Sequence, residues 1–220
     1  SELRVDATAL DSSGVTFGAR QRSLGLMWLS APIDYRYRWF VRSVDNFAKF
    51  PEGDSHRRRL GAGLQYQFGR WLASAELSGR RDGGGELGLR GNAEYRFNDY
   101  WTLLSSVELQ SDVVPLRGHR VGVESDLIGV GARYAPHESL TLQFGAELEN
   151  LSDGNSRQQL AAQGRKRLVN RSKFILEALG EASIGNRGRD DVPYFSPLRD
   201  VGVWAGAEGQ WRVLSRYERR

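Results

Sequence analysis

The stretch EYRFNDYWTLLS, residues 94–105, decides the fold. Tyr95, Phe97, Trp101 and Leu103 recur on every second residue, interrupted only by Asn98-Asp99. Side chains of a strand point alternately to its two faces, so this spacing reads as two strands meeting at a tight hairpin. The alternation continues on both sides of it. Leu87, Leu89, Gly91 and Ala93 share a face with Tyr95 and Phe97, against Gly88, Arg90, Asn92, Glu94 and Arg96. Leu60 to Gly69, Leu140 to Glu149 and Val201 to Val213 repeat the pattern, each with one apolar and one polar, often charged, face. A period of two runs through nearly the whole chain, and about eleven or twelve strands are expected.

The bulk composition narrows the class. The 220 residues have a mean hydropathy of −0.51 and 26% charged side chains. No run approaches the roughly 18 apolar residues of a membrane helix. Cysteine is absent, which removes disulfides and thiolate metal sites. The 31 basic and 27 acidic residues are interspersed, so the net charge of +4 describes mixed charge rather than a basic face.

The connections fall into two sets. FGRWL, FNDYW, YAPHESL and VNRSKF are short. KFPEGDSHRR, SGRRDGGGEL, QSDVVPLRGHRV, LSDGNSRQ and SIGNRGRDDVPYFSPLRD read as longer polar loops. Short turns at one end and long loops at the other describe an antiparallel up-and-down meander and match the asymmetry of outer-membrane barrels. Tyr66, Phe68, Trp71, Tyr95, Phe97, Tyr100, Trp101, Tyr134 and Phe174 gather beside the short turns, as an aromatic girdle at a membrane interface does. A soluble sandwich alternates equally well, but its apolar face is a core of large branched residues. Here Ala and Gly occupy the middle of that face, the opposite face is dense in Gln, Glu and Arg, and the strands approach the 9–11 residues of a tilted span. The expectation is an all-β, antiparallel up-and-down transmembrane β-barrel with lipid-facing Leu, Val and Ala and a polar interior.

Three loop motifs add a resemblance: VPLRG (residues 114–118), LSDGN (151–155) and PYFSPLRD (193–200). Their order on alternating strands resembles the C-terminal porin domain of PgaA-type outer-membrane exporters of poly-N-acetylglucosamine (PNAG), from about Ala31 onward and most densely over Pro115 to Asp200. The resemblance implies an outer-membrane pore of a Gram-negative bacterium that exports a biofilm exopolysaccharide. No cofactor is implied, and a periplasmic deacetylase and an inner-membrane synthase are the implied partners beside the polymer and membrane lipid. Another polysaccharide such as cellulose, or general diffusion, is the alternative cargo. The family joins tetratricopeptide repeats to about sixteen strands. No helical repeat is visible here, and the chain runs from SELRV to WRVLSRYERR without an initiator, a signal peptide or a terminal aromatic residue. Residues 1–220 are therefore expected to be one barrel domain, cut at both ends, within a larger barrel.

With outward positions so assigned, Glu76, Glu94, Glu108, Glu147, Glu149, Glu177, Glu181 and Glu208 point inward, together with Arg90, Arg96, Arg133, Arg165, Arg167 and Arg212. Two readings follow. The charges pair across strands and solvate the wall, or the acids form a track for a partly deacetylated, cationic polysaccharide, whose many weak sites permit movement. Trp204, also inward, either stacks on sugar faces or fills the lumen near a loop. The loop GNRGRDDVPYFSPLRD either folds inward as a gate, bringing Asp190, Asp191, Tyr194 and Phe195 to the polymer, or lies against the wall. Asp153 and Asn155 read as turn formers.

Catalysis and nucleic-acid binding find less support. His56, His119 and His137 lie in or beside turns, and none alternates with a serine on an inward face as a Ser–His site requires. Glu147/Glu149 and Asp190/Asp191 are the carboxylate pairs available to a glycosidase, but many charged pairs share a face in this chain. QGRKR, residues 163–167, sends Arg165 and Arg167 to one side and Lys166 to the other, which breaks up a basic patch.

Overall fold

The computed structural model describes residues 1–12, 19–80, 87–111 and 114–211. Twelve strands follow in chain order: β1 (Glu2–Ser12), β2 (Ala19–Leu29), β3 (Tyr37–Phe50), β4 (Gly53–Phe68), β5 (Trp71–Arg80), β6 (Leu87–Arg96), β7 (Trp101–Leu109), β8 (Ser125–His137), β9 (Leu140–Leu151), β10 (Ser156–Arg171), β11 (Phe174–Arg187) and β12 (Arg199–Trp211). All pair antiparallel with their chain neighbours in one sheet. Among the described residues β1 and β12 do not pair with each other, so the sheet is open. One short helix, α1 (Leu116–Arg120), precedes β8. Among the described residues no helix is long and apolar enough to cross a membrane, and crossing by strands needs none.

The hairpin at residues 94–105 forms as its sequence dictates. Asn98 Oδ1 accepts the N–H groups of Tyr100 (2.9 Å) and Trp101 (2.8 Å), closing the turn. Phe97 N–H donates to the Trp101 carbonyl at 2.9 Å. At the next short turn Gly69 takes φ = 58°, open to glycine at little cost. The outward aromatics then stack from strand to strand along this end: Tyr37–Tyr66 at 5.1 Å, Trp71–Tyr95 at 4.6 Å, Trp101–Tyr134 at 4.7 Å and Phe174–Trp211 at 5.9 Å between centroids. Such cross-strand aromatic pairs contribute about 0.5–1.5 kcal/mol each beyond their burial.

The two faces differ as expected. Leu60, Leu64, Leu77, Leu89, Leu103, Val130 and Phe144 are exposed on the outward face, and Leu64 is 61% accessible. The inward face buries Arg57, Arg59, Glu76, Ser78, Glu149 and Glu177. Among the described residues, buried polar side chains outnumber buried apolar ones, and no second layer covers the leucines. That arrangement is the inverse of a soluble sandwich.

The second set of connections departs from the sequence reading. KFPEGDSHRR is not a long loop: β3 runs to Phe50, β4 starts at Gly53, and only Pro51-Glu52 turn. LSDGNSRQ is likewise a tight turn, with Gly154 at φ = 81°. Both segments are polar on both faces, so nothing in their composition separates a strand projecting beyond the membrane from a loop. QSDVVPLRGHRV does form a long connection, but it contains α1. Ser55 Oγ donates to the Leu116 carbonyl and Arg57 Nη1 to the Val114 carbonyl, both at 3.0 Å. Arg59 Nη2 donates to the Gln110 carbonyl, and the Arg117 guanidinium pairs with Glu52. The β7–β8 connection thus reaches past β5 and β6 to dock on β3 and β4.

The β11–β12 connection packs on the other side of this strap. Tyr194 is 1% exposed and joins Val114, Val123 and Leu151 in a small apolar cluster, with Val192 against it. Its hydroxyl donates to Asp153 Oδ2 at 2.8 Å and accepts from Asn155 Nδ2 at 3.2 Å. Burial pushes the Tyr194 phenol up to about 12, so it stays protonated and keeps donating at neutral pH. Asn155, 2% exposed, also takes the N–H groups of Ser156 (2.9 Å) and Arg189 (3.0 Å) on Oδ1 and donates to Ser196 Oγ (3.0 Å).

Two outcomes test this architecture in the full-length protein. Leu64→Arg, on the lipid-facing side, should cost about 2–4 kcal/mol of unfolding free energy in lipid vesicles. Gln65→Arg, one residue along on the inner side, should cost under about 1 kcal/mol. Asn155→Ala orphans several buried partners, about 1–3 kcal/mol, so amide exchange over residues 188–198 should accelerate roughly 5- to 100-fold while exchange in β5 and β6 stays unchanged.

Candidate functional site

The inner wall is a lattice of guanidinium–carboxylate pairs. Neighbouring strands supply Arg90–Glu108 (2.7 Å), Arg157–Glu149 (3.4 Å), Arg165–Glu177 (2.8 Å) and Arg167–Glu177 (3.1 Å). Other pairs bridge over an intervening strand: Arg42 on β3 reaches Glu76 on β5 at 2.9 Å, Arg133 on β8 reaches Glu94 on β6 at 3.3 Å, and at 3.9 Å Arg38 on β3 reaches Glu2 on β1 and Arg165 on β10 reaches Glu208 on β12. The first of these depends on Gly61 of β4, where any side chain would collide with the Glu76 carboxylate. Burying paired charges and satisfying their hydrogen bonds avoids the cost of a lone buried ion, and the wall stays hydrophilic.

Six of the eight inward glutamates, Glu76, Glu94, Glu108, Glu149, Glu177 and Glu208, therefore have an arginine within 4.0 Å. Glu147 and Glu181 do not; among the described residues no cation lies within ion-pair distance of either. Instead Glu181 accepts from Trp204 Nε1 at 3.1 Å and from Gln163 Nε2 at 3.4 Å. Glu147 and Glu181 flank β10, and with Gln143, Gln159 and Gln163 they line a recess of about 180 Å³. A neighbouring recess of about 370 Å³ contains Gln143, Gln163, Glu181 and Trp204. Small residues open both spaces, Gly145 and Ala161 in the first and Gly164 and Gly180 in the second. The chemistry offered is two carboxylates, three amides and one indole on a concave surface, suited to hydroxyls, amides and an ammonium group.

The other inward residues stand where alternation puts them. Arg90, Arg133, Arg165 and Arg167 belong to the pairs above, and Arg96 is exposed on the same face. Arg212 lies outside the described residues. Of the four loop residues, Asp190, Asp191 and Phe195 are exposed, whereas Tyr194 is not free to touch a passing chain. Its ring fills the cluster that fixes the loop. Asp191 is held by Arg189 at 2.9 Å, and that hydrogen bond keeps its carboxyl below the usual range. Asp153 and Asn155 form the turn expected of them and also clasp the loop, a role invisible in sequence because the partners lie about forty residues away.

Comparison with known proteins places this architecture. A family model described as the PgaA membrane beta barrel domain matches residues 1–220. The poly-beta-1,6-N-acetyl-D-glucosamine export protein of Escherichia coli K12 is 24% identical over 220 residues, covering 99% of this chain and 27% of that protein. The export protein of the same description from E. coli O157:H7 gives the same values. The chain thus spans 27% of the length of these curated relatives. A solved structure described as a bacterial polysaccharide outer membrane secretin superposes with a TM-score of 0.85 at 23% identity, over 98% of this chain and 73% of that one. That likeness carries the fold: the open twelve-stranded sheet corresponds to most of a larger barrel. The relatives are described by export and secretion rather than by catalysis, as the sequence led us to expect. The chain belongs to the PgaA membrane beta barrel domain family, a barrel segment of the outer membrane.

Proposed function

We propose that the inner wall forms part of the passage through which a biofilm exopolysaccharide, partly deacetylated PNAG, leaves the cell. The observation that supports this reading is the selective pairing of the wall. Where arginine neutralises a glutamate, the pair is structural; where it does not, at Glu147 and Glu181, the carboxylates stand beside amides and an indole in a recess. A deacetylated glucosamine presents an ammonium group to such carboxylates, and an acetylated one presents an amide and hydroxyls to Gln143, Gln159 and Gln163. Trp204, oriented by Glu181, offers an apolar ring edge to sugar C–H groups. Each contact is weak and solvated, which lets a polymer slide rather than lodge. No cofactor takes part. Synthesis at the inner membrane supplies the driving force, and a periplasmic deacetylase generates the cationic units the free carboxylates select.

The loop of residues 188–198 forms part of the rim in this reading, with Asp190, Asp191 and Phe195 turned to the polymer and Tyr194 anchoring them. A neutral glucan such as cellulose would use the amides and Trp204 but gain nothing from unpaired carboxylates, and a general diffusion porin would need neither.

The test is secretion by the full-length protein carrying Glu147→Gln and Glu181→Gln. Exposed carboxylate–ammonium contacts contribute about 0.2–1 kcal/mol each, so with two removed secretion of the deacetylated polymer should fall about 2- to 30-fold with the barrel still heat-modifiable on gels. Secretion at the unsubstituted level would remove the carboxylate track from the account.

A further inference from the structure

The lipid-facing side carries a charged cluster that the passage does not use. Arg20 and Arg22 on β2, Lys49 on β3 and Arg58 on β4 are all exposed on the outward face. The register sets Arg20 opposite Lys49, Arg22 opposite Phe47 and Asp45 opposite Arg58. Four strong cations therefore lie on three adjacent strands spaced about 4.8 Å apart. Three acids share the surface, and one of them, Asp11 on β1, faces Arg20 in the register. Asp45 receives His56 Nε2 at 2.8 Å and lies 3.5 Å from Arg58, and Asp54 faces Lys49 in the register. Four cations against three acids leave one net positive charge around an apolar floor, in which Phe47 packs edge-on against His56 at 6.4 Å and lies 5.9 Å from Lys49 Nζ.

Its height on the barrel is the informative feature. Toward the short turns the same outward rows become apolar at once, with Leu24 and Leu26 on β2 and Leu60 and Leu64 on β4. The 14 residues of β3 and 16 of β4 exceed the 9–11 that a tilted strand needs to span hydrocarbon, so their outer ends reach headgroup level. On β7 to β12 the described outward positions near that end carry only Asp126 and Arg199 as charges. Apart from Arg199, the outward cations at this end are thus gathered in one sector. They sit at the end from which the long β7–β8 and β11–β12 connections emerge, which in outer-membrane barrels is the cell exterior.

We propose that Arg20, Arg22, Lys49 and Arg58 form a binding site for the phosphate groups of an outer-leaflet glycolipid. Guanidinium forks match phosphate oxygens in paired hydrogen bonds, and the ammonium of Lys49 adds a point charge beside them. The acyl chains of the same lipid lie on Leu24, Leu26 and Leu60 directly below. Charge complementarity and continuity with the apolar band both select a phosphorylated lipid over a soluble partner. The site faces away from the inner wall, so it is independent of what passes through the barrel.

The probe is diphosphoryl lipid A, added to the purified full-length protein in detergent micelles, with bound lipid counted by native mass spectrometry. Dephosphorylated lipid A and inorganic phosphate serve as comparisons. The variants are Arg22→Gln/Lys49→Gln/Arg58→Gln and the charge-retaining Arg22→Lys/Arg58→Lys, each checked for heat-modifiable folding. The unsubstituted protein should retain diphosphoryl lipid A at least tenfold more tightly than either comparison. The glutamine variant should lose at least tenfold in affinity and the lysine variant much less, with polymer secretion unchanged in both. Equal retention by the glutamine variant overturns the site. So does equal binding of the dephosphorylated lipid, and inorganic phosphate binding as tightly as the lipid would reassign it to a free anion.

Discussion

Inside hydrocarbon no water is available to satisfy a peptide N–H or C=O, so every such group must find its partner within the sheet. This constraint sets everything else in the molecule. It imposes continuous antiparallel pairing from β1 to β12, and pairing in turn fixes a period of two along each strand. Once one face is committed to lipid, the other is committed to the interior, and a slip of one residue would exchange them. The long uninterrupted registers, such as thirteen consecutive partners between β11 and β12, are the structural expression of that commitment.

A barrel wall of this kind has almost no apolar core to hold it, and other interactions take the place of one. Arginine–glutamate pairs stitch neighbouring strands across the inner face, and those that leap a strand, Arg42–Glu76 and Arg133–Glu94 among them, tie three strands at once. Stacked aromatics bind the outward rim at the short turns. Among the described residues the one compact apolar cluster lies at the opposite end, where Tyr194 meets Val114, Val123 and Leu151. There the β7–β8 and β11–β12 connections are joined to each other and, through Arg57 and Arg59, to β4. The rim at that end is a braced structure rather than a set of separate loops.

Much of this was legible in the sequence because alternation is a local signal. Tyr95, Phe97, Trp101 and Leu103 reveal a hairpin without any knowledge of their neighbours, and the same reading places all eight glutamates and Trp204 on the inner side. What was not legible depends on partners far away in the chain. That Glu76 is neutralised and Glu181 is not follows from which residues stand one or two strands over, and that depends on register and on the space left by Gly61. Asn155 looks like any turn asparagine until the loop it holds is folded against it. The extended ends of β3 and β4 look like loop in the sequence because most of their residues are polar on both faces, having left the membrane behind.

The most direct test of the assignment of faces uses the absence of native cysteine. Single cysteines introduced in turn at residues 143–148 of β9, in the full-length protein in intact outer membranes, should react with a membrane-impermeant maleimide in alternation. Gln143→Cys, Gly145→Cys and Glu147→Cys should label, while Phe144→Cys, Ala146→Cys and Leu148→Cys should stay silent. Uniform labelling, or labelling of the second set alone, would contradict a wet ionic interior enclosed by a lipid-facing apolar wall.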